Sequence, residues 1–396
     1  MNGTGKVMAA VRDELAGQFF ERAEVIRALM TALLAGQHSL LLGPPGAAKS
    51  DLARALTGRI TGGTYWEILL GAYTDPKQIF GPIDVAAMMR GEYTQVFARR
   101  ATEADIAFID EIFKCGQGAL NSMLAWLNER LYHPENGGPP ISCPLLAAVT
   151  ASNELPQAGH ESAAFFDRLM VRLEVTYIED PANTRALFRS GAVRAAPPAG
   201  TTVALDDLRR AIEDEVPGVD VPDGILDAMV KLRTALRQRG LLCSDRRWRQ
   251  SVRLVQSAAY LDGRGQADDT DLDILRHVLW DSTGDRRAVW DEVLTLVNPD
   301  AKKALDLEED ILAIQATLES MAGQSDQKLN DWASKEANPK LARAARELEA
   351  MQKAAVAAGR STDAIDAVMA RVRAVYAQVF TEALKMPAFA VQNLKI

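Results

Sequence analysis

Apolar and polar positions along the chain fall into three regimes. In residues 7–36 apolar side chains recur at helical spacing. Val7, Val11 and Leu15 lie on one face and Val25, Ile26, Leu29 and Leu33 on the next, with a break near Gln18-Phe19-Phe20. Between Ser39 and about Tyr177, short continuous apolar runs alternate with helical stretches. The runs near residues 39–42, 65–69, 106–109, 145–150 and 173–177 predict strands buried on both faces. The helices between them predict a parallel sheet covered on both sides, an α/β core. After about residue 205 only helical spacing remains.

Two stretches interrupt the alternation inside the core. From Asp84 to Phe97 a glycine, Gly91, stands between short apolar runs, which predicts a β-hairpin inserted at about 84–97. From Glu129 to Cys143, with Asn136-Gly137-Gly138-Pro139-Pro140 near the middle, a second loop or hairpin is predicted. Pro197-Pro198 and Gly200 mark a linker, so the core takes residues 1–190 and the linker 191–204. Residues 205–297 predict an all-α lid, with helix starts at Asp206-Asp207, Pro222-Asp223 and Asp268-Asp269-Thr270-Asp271. Asn298-Pro299-Asp300 then breaks the chain. Residues 298–396 form an Ala-, Glu- and Lys-rich helical region with joints at Asn338-Pro339 and Gly359-Arg360-Ser361. Its apolar faces run through Leu305, Ile311, Leu312, Ile314 and Leu318, then Leu341, Ala345, Leu348 and Met351. A last face holds Ile365, Val368, Met369, Val372, Val375, Tyr376 and Val379. They predict an antiparallel helical hairpin or small bundle that serves packing or assembly.

Three strand tips carry the candidate chemistry. The first apolar run leads into Gly43-Pro44-Pro45-Gly46-Ala47-Ala48-Lys49-Ser50 and then the helical stretch opened by Asp51. A strand, a glycine-containing turn and a helix N-terminus together suit a nucleoside triphosphate. Backbone N–H groups wrap the phosphates and the helix end adds partial positive charge. Lys49 reaches the β- and γ-phosphates, and the Ser50 hydroxyl is placed for Mg²⁺. Ala48 stands where a glycine commonly precedes the lysine, which requires a negative φ at that residue. The second tip is Ile106-Ala107-Phe108-Ile109-Asp110-Glu111. An apolar strand ending in two carboxylates needs a reason for them, because an unpaired buried acid is costly. Asp110 would hold Mg²⁺ directly or through water, and Glu111 would orient or deprotonate the attacking water. The third is Leu145-Leu146-Ala147-Ala148-Val149-Thr150-Ala151-Ser152-Asn153, where Asn153 would hold the lytic water and sense the γ-phosphate.

Composition narrows the setting. The 396 residues suffice for two or three domains, and 48% hydrophobic with 25% charged residues is ordinary for a globular chain. A net charge of −8 argues against a strong, sequence-independent grip on nucleic acid. Cys115, Cys143 and Cys243 have no metal-ligand spacing, and an odd, small number fits a reducing cytosol. His133, His160 and His277 fall in no metal pattern, and His38, just before the first strand, reads as a surface histidine that could border an adenine. No signal peptide opens the chain and no stretch approaches a membrane span, so a cytoplasmic location without membrane insertion is expected.

These motifs, in this order, resemble the AAA+ ATPases, within them the MoxR group, and most closely its RavA type. The resemblance is carried by the phosphate loop, Phe80-Gly81-Pro82, Asp110-Glu111-Ile112-Phe113-Lys114 and Leu127-Asn128-Glu129-Arg130. Ala151-Ser152-Asn153-Glu154-Leu155-Pro156, Phe166-Asp167-Arg168-Leu169 and Ser244-Asp245-Arg246-Arg247-Trp248 complete it. It covers roughly residues 7–297, and alanine at position 48 is itself a RavA-type feature. The β-rich extension of RavA-type chains is not apparent after Asn298. The resemblance implies a ring, usually a hexamer, with ATP and Mg²⁺ at subunit interfaces. Arg168 would be the arginine finger reaching the neighbour's γ-phosphate, with Arg172 in reserve. Arg246 would be the lid arginine, sensor 2, acting in cis, with Arg247 and Arg249 as alternatives. Lys114 and Glu129-Arg130 would line the subunit interface or the pore. The implied partner is a protein with a von Willebrand factor A domain, and the implied role is remodelling or assembly of a client through the insert at 84–97. Two other functions compete: a nucleic-acid motor, for which Arg90, Arg99 and Arg100 interleaved with Glu92 and Glu103 make a weak patch, and a nucleotide-gated scaffold with little turnover.

Overall fold

A computed structural model describes residues 3–135, 137–156, 165–190, 200–321, 323–357, 360 and 362–386. The chain divides into two compact units, Met1–Val230 with Gly240–Arg286, and Lys231–Arg239 with Arg287–Ile396. The first is built on strands β1 (His38–Leu42), β3 (Tyr65–Leu69), β4 (Ile106–Asp110), β7 (Ala147–Ser152) and β8 (Leu169–Glu174), in the spatial order β3-β4-β7-β1-β8. Short pairs join β2 (Ile60–Thr61) to β9 (Val203–Ala204), and β5 (Leu131–Tyr132) to β6 (Ile141–Ser142). All neighbours in the main sheet are parallel, so the five carboxyl ends gather along one edge. β1 and β7 are buried along their whole length, as the continuous apolar runs require.

The fifth strand runs from Leu169 to Glu174 rather than over residues 173–177. Arg172 interrupts the apolar run and hides the strand's first half from a hydropathy reading. The side chain is nonetheless buried, with its guanidinium on the Trp280, Phe166 and Leu169 carbonyls and on Asp281. Leu169 lies beside His38 at the amino edge of the sheet.

Helices α1 (Gly3–Gln18) and α2 (Ala23–Leu34) precede the sheet, with the break at 19–22. α3 (Lys49–Thr57) follows β1. α4 (Pro76–Phe80) is closed by a capping box on Asp75. The insert at 84–97 is only partly the predicted hairpin. Its first arm is helix α5 (Val85–Met89), because the Asp84 carboxylate caps the Ala86 and Ala87 N–H groups ahead of helix-forming Ala and Met. The arms pair as strands only at the base, through the Ile83–Gln95 bridge with the Asp84 N–H to Thr94 and Val96 N–H to Pro82 carbonyl bonds, and the Glu92 N–H returns to the Ala87 carbonyl at the tip. Gly81 is needed there: a Cβ on it would sit 2.1 Å from the Val96 carbonyl oxygen. α6 (Gln117–Glu129) packs Trp126 edge-on against Trp66 and Phe80, both at 5.9 Å. It leads into the β5–β6 hairpin predicted between Glu129 and Cys143, of which Asn136 lies outside the described residues. After β8 comes α7 (Pro181–Ser190). The predicted linker at 191–204 and His160 fall mostly or wholly outside the described residues.

The helical part begins with α8 (Leu205–Arg210) and continues through α9 (Asp223–Gln238) and α10 (Asp245–Leu261). α10 packs on α1 and α2, and Leu254, Val255, Ala258 and Leu261 are buried along it. A 3₁₀ stretch at Asp269–His277 is capped by Asp268. α11 (Asp285–Val297) stops where Asn298-Pro299 was expected to break the chain, and Asn298 caps the next helix.

In the second unit, α12 (Pro299–Ser320), α13 (Asp326–Trp332) continued by α14 (Asn338–Ala357), and α15 (Asp363–Glu382) enclose one core of Ile311, Ile314, Leu318, Leu341, Leu348, Val368, Val372 and Val379. Asn338-Pro339 is not a joint. A widened π turn at Ala333–Ala337 precedes it, which accommodates the proline ring and its missing N–H inside a continuous helix. The joint lies instead at 321–325, of which residue 322 lies outside the described residues, and near Arg360, whose neighbours Gly359 and Ser361 also do.

Candidate active site

β1 delivers the chain into the phosphate loop. A Cβ on Gly43 would lie 2.0 Å from the Val175 carbonyl oxygen, so no side chain fits where the chain leaving β8 crosses the loop. Gly46 turns at φ +79°. Ala48 also has positive φ, +65° with ψ 23°, against the expected negative value. An L-residue in that region costs about 1–2 kcal/mol, so the loop holds its shape against the preference of its own residue. Lys49 then opens α3. Its Nζ donates to the Gly43 carbonyl at 2.6 Å, the Pro44 carbonyl at 3.0 Å and Asn153 Oδ1 at 2.8 Å. Burial lowers its pKa. These are the bonds that phosphate oxygens would replace. Asp51 faces solvent in the first turn of α3, 3.7 Å from Arg54, and does not enter the loop.

The carboxylates sit at the tip of β4, beside the loop. Ser50 Oγ lies 3.4 Å from Asp110 Oδ2, and Asp110 Oδ1 accepts the Glu111 N–H at 2.9 Å. Glu111 too is left-handed, φ +54°. Its Oε1 accepts from Asn153 Nδ2 at 2.9 Å and pairs with Lys114 Nζ at 3.0 Å. Its Oε2 is buried with no hydrogen-bond partner. A buried orphan oxygen marks where water or ligand belongs. The residues present therefore fit a Mg²⁺-nucleotide: a glycine turn, a lysine, a hydroxyl beside a carboxylate, and a second carboxylate with one oxygen to offer. Mg²⁺ commonly needs only one or two protein oxygens when phosphates supply others.

Arg168 and Arg246 stand elsewhere. Arg168 directly precedes β8, at the amino edge of the sheet beside His38. The phosphate loop follows the other end of β1, about 13 Å of strand away at about 3.3 Å per residue. Arg246, in the first turn of α10, donates to Asn128 Oδ1 at 3.1 Å near the end of α6. Burial lowers the pKa of Arg168, and the nearby Arg246 charge lowers it further. Arg246 is thus at the arginine edge, not over the loop of its own chain where a cis contact requires it. Arg172 is fully buried. Arg247 is 2% exposed and bonded to the Val278 carbonyl and Asp167. Neither is available to a nucleotide, while Arg249 is exposed. His38 is not a surface residue: Nδ1 accepts the Ala148 N–H at 2.9 Å, Nε2 meets the Leu127 carbonyl at 2.7 Å, and Arg130 lies against it. Burial first, then the Arg130 charge, pushes its pKa down to about 3.

Residues 6–210 match the family model described as the MoxR domain in the MoxR-vWA-beta-propeller ternary systems, and residues 224–293 match an AAA lid domain. An uncharacterized protein of Methanocaldococcus jannaschii is 33% identical over 91% of this chain and 93% of its own length. The chain belongs to the MoxR family of AAA+ ATPases. A second uncharacterized protein of the same organism is 34% identical to this MoxR-family chain, over 76% of it and 79% of its own length. The crystal structure of a candidate ATPase from Cytophaga hutchinsonii superposes with a TM-score of 0.60 at 17% identity, over 74% of this chain and 95% of that one, which speaks to fold alone.

Two contacts of this MoxR-family site were not legible as such in the sequence. Lys114 was expected at an interface or pore, yet it reaches back to Glu111. Three-residue spacing across a 3₁₀ turn in Glu111-Ile112-Phe113-Lys114 is the signal that could have found it. Tyr177 Oη donates to the Pro45 carbonyl at 3.1 Å and braces the loop from beyond β8. Among the described residues, no helix is long and apolar enough to cross a membrane.

Proposed function

We propose that this MoxR-family ATPase assembles into a ring, with the hexamer its form, and hydrolyses ATP between subunits to remodel or assemble a client protein. The observation that carries this reading is the separation of the catalytic groups: the phosphate loop, Asp110, Glu111 and Asn153 line one edge of the sheet, and Arg168 and Arg246 the other. One chain cannot bring both edges to one phosphate. A neighbour can.

The roles follow. Gly43 to Ala48 cradle the phosphates through backbone N–H groups, and Lys49 leaves its loop carbonyls for the β- and γ-phosphates. Ser50 and Asp110 hold Mg²⁺, which when bound neutralises charge on the phosphate oxygens. Glu111 Oε2 orients the attacking water and accepts its proton. Asn153 senses the γ-phosphate. Arg168 is the neighbour's finger, and Arg246 joins it in trans. The Arg246 charge disfavours the Arg168 guanidinium, and a bound anion beside Arg168 would relieve it.

The partner is a protein with a von Willebrand factor A domain, supported by the system that the matching family model describes. The insert is the contact surface. Val85, Met88, Met89, Tyr93 and Val96 are exposed on it. Of the arginines in or near it, Arg90 pairs with Glu92 and Arg100 donates to the Gln78 carbonyl, while Arg99 bonds Glu103 through its backbone N–H. An apolar surface with few basic groups favours a protein over nucleic acid. The RavA-type subgroup rests on the motifs and on Ala48. The test is ATPase rate per subunit against protein concentration, with mass measured alongside. The expected rate rises with assembly and vanishes in Glu111→Gln. A rate independent of concentration and of Arg168 contradicts the ring.

A further inference from the structure

Glu111 Oε1 is held by one hydrogen bond, from Asn153 Nδ2 at 2.9 Å, and one ion pair, with Lys114 Nζ at 3.0 Å. Only one of the two is independent of the nucleotide. Asn153 belongs to a chain of contacts that reaches the phosphate loop, because its Oδ1 accepts from Lys49 Nζ. When Lys49 moves to a phosphate, Asn153 loses that bond and is drawn toward the same phosphate. Its grip on Glu111 is then contested. Lys114 makes no contact with the loop carbonyls. It rises from the 3₁₀ turn directly after Glu111, and its side chain is about half exposed, at 47%.

Holding Glu111 matters more than usual, because its backbone is in the left-handed region and its Oε2 is buried without a partner. Nothing else among the described residues fixes that carboxylate by a hydrogen bond or ion pair. We propose that Lys114 is a positioning residue of the hydrolytic reaction. It keeps Oε1 fixed once nucleotide has claimed Asn153, so that Oε2 stays presented to the attacking water. The inference rests on the ATPase reading above and deepens it by naming which contact persists through the reaction.

The charge balance supports this. Lys49 and Lys114 flank Asp110 and Glu111, and each lysine is close enough for Lys114 to lower the Lys49 pKa. When Lys49 transfers its charge to the phosphates, Lys114 remains the cation opposite Glu111. A neutral side chain there leaves the carboxylate free to turn. Misplacement of a reacting group by about 1 Å can cost about 100-fold.

The experiment compares wild type, Lys114→Met, Lys114→Arg, Glu111→Gln and Lys49→Ala in the full-length chain. Steady-state ATPase gives kcat and KM, and a fluorescent ATP analogue gives the nucleotide Kd. For Lys114→Met the expected result is a kcat lower by roughly 10- to 100-fold, with Kd within about twofold and melting temperature unchanged. Lys114→Arg, which keeps the donor and the charge, is expected to restore most of the kcat. A Lys114→Met enzyme with wild-type or higher kcat, or one whose loss lies in nucleotide Kd, overturns the proposal. So does a kcat loss that Lys114→Arg fails to restore. Turnover by wild type that is lost in Glu111→Gln with binding retained, and binding lost in Lys49→Ala, upholds the ATPase reading whatever Lys114 does. If wild type turns over no ATP, that reading falls and takes this inference with it.

Discussion

At the carboxyl edge of the sheet, polar side chains hold one another in a chain, Lys49 to Asn153 to Glu111 to Lys114, on a backbone that is left-handed at Ala48 and at Glu111. At the amino edge, three arginines have the opposite character. Arg130, Arg172 and Arg247 are bonded to main-chain carbonyls, and Arg172 and Arg247 also to aspartates. They hold secondary structure together. At the same edge are Arg168, directly ahead of β8, and Arg246, exposed and bonded to the Asn128 side chain; these are the two proposed to serve a neighbour's nucleotide. One edge keeps strain and an orphan oxygen in reserve for a ligand. The other buries Arg172 and Arg247 and leaves Arg246 exposed, although all three look alike in sequence. On the proposed reading, a second copy brings the two edges together.

The contrast is broken first at Arg168, the proposed finger. Arg168→Ala is expected to lower turnover by about 10³- to 10⁵-fold while melting near wild type, checked by ATPase assay and thermal unfolding. The structural arginines behave the other way. Arg172→Ala leaves carbonyls of Phe166, Leu169 and Trp280 without their donor in a closed interior. It should cost about 3–5 kcal/mol in denaturant unfolding, with any loss of turnover following the loss of fold.

Those two arginines show what a sequence conveys here and what it does not. The order of the three strand tips made the nucleotide site legible, because a loop, an acid pair and an amide after apolar runs are local patterns. The helical faces from Ile311 to Val379 were legible for the same reason. The choice among Arg168, Arg172, Arg246, Arg247 and Arg249 was not. The buried guanidiniums depend on carbonyls brought from elsewhere in the chain, Trp280 for Arg172, 108 residues on, and Val278 for Arg247, 31 residues on. The sign of φ at Ala48 was also hidden, since the path of the loop depends on neighbours distant in sequence, such as Val175 after the adjacent strand β8, which crowds Gly43. The helix in the insert was missed because Gly91 drew the eye from the Asp84 cap.

Smaller effects sharpen the comparison further. His38 at the amino edge is buried neutral, with its folded pKa pushed down to about 3. The unfolded chain takes up a proton near pH 6.5, and the folded one does not until near pH 3. Its contribution is therefore complete above about pH 6.5 and declines as pH falls, by up to about 1.4 kcal/mol per pH unit. His38→Gln should flatten the pH dependence of the urea midpoint between pH 7 and 5. At the carboxyl edge, Ala48→Gly should relieve the left-handed strain but add flexibility to the unfolded chain. The net is a stabilisation of about 0.5–1 kcal/mol by thermal unfolding, with nucleotide binding retained.

The central claim is that the two edges of different chains make one site. Its most direct test mixes two inactive variants, Glu111→Gln and Arg168→Ala, each purified alone, dissociated and reassembled together, with ATPase activity read before and after. Neither variant should turn over ATP alone, and the mixture should regain activity, because some interfaces then pair an intact Glu111 with an intact Arg168. Mixed assemblies that form and stay inactive would contradict the account.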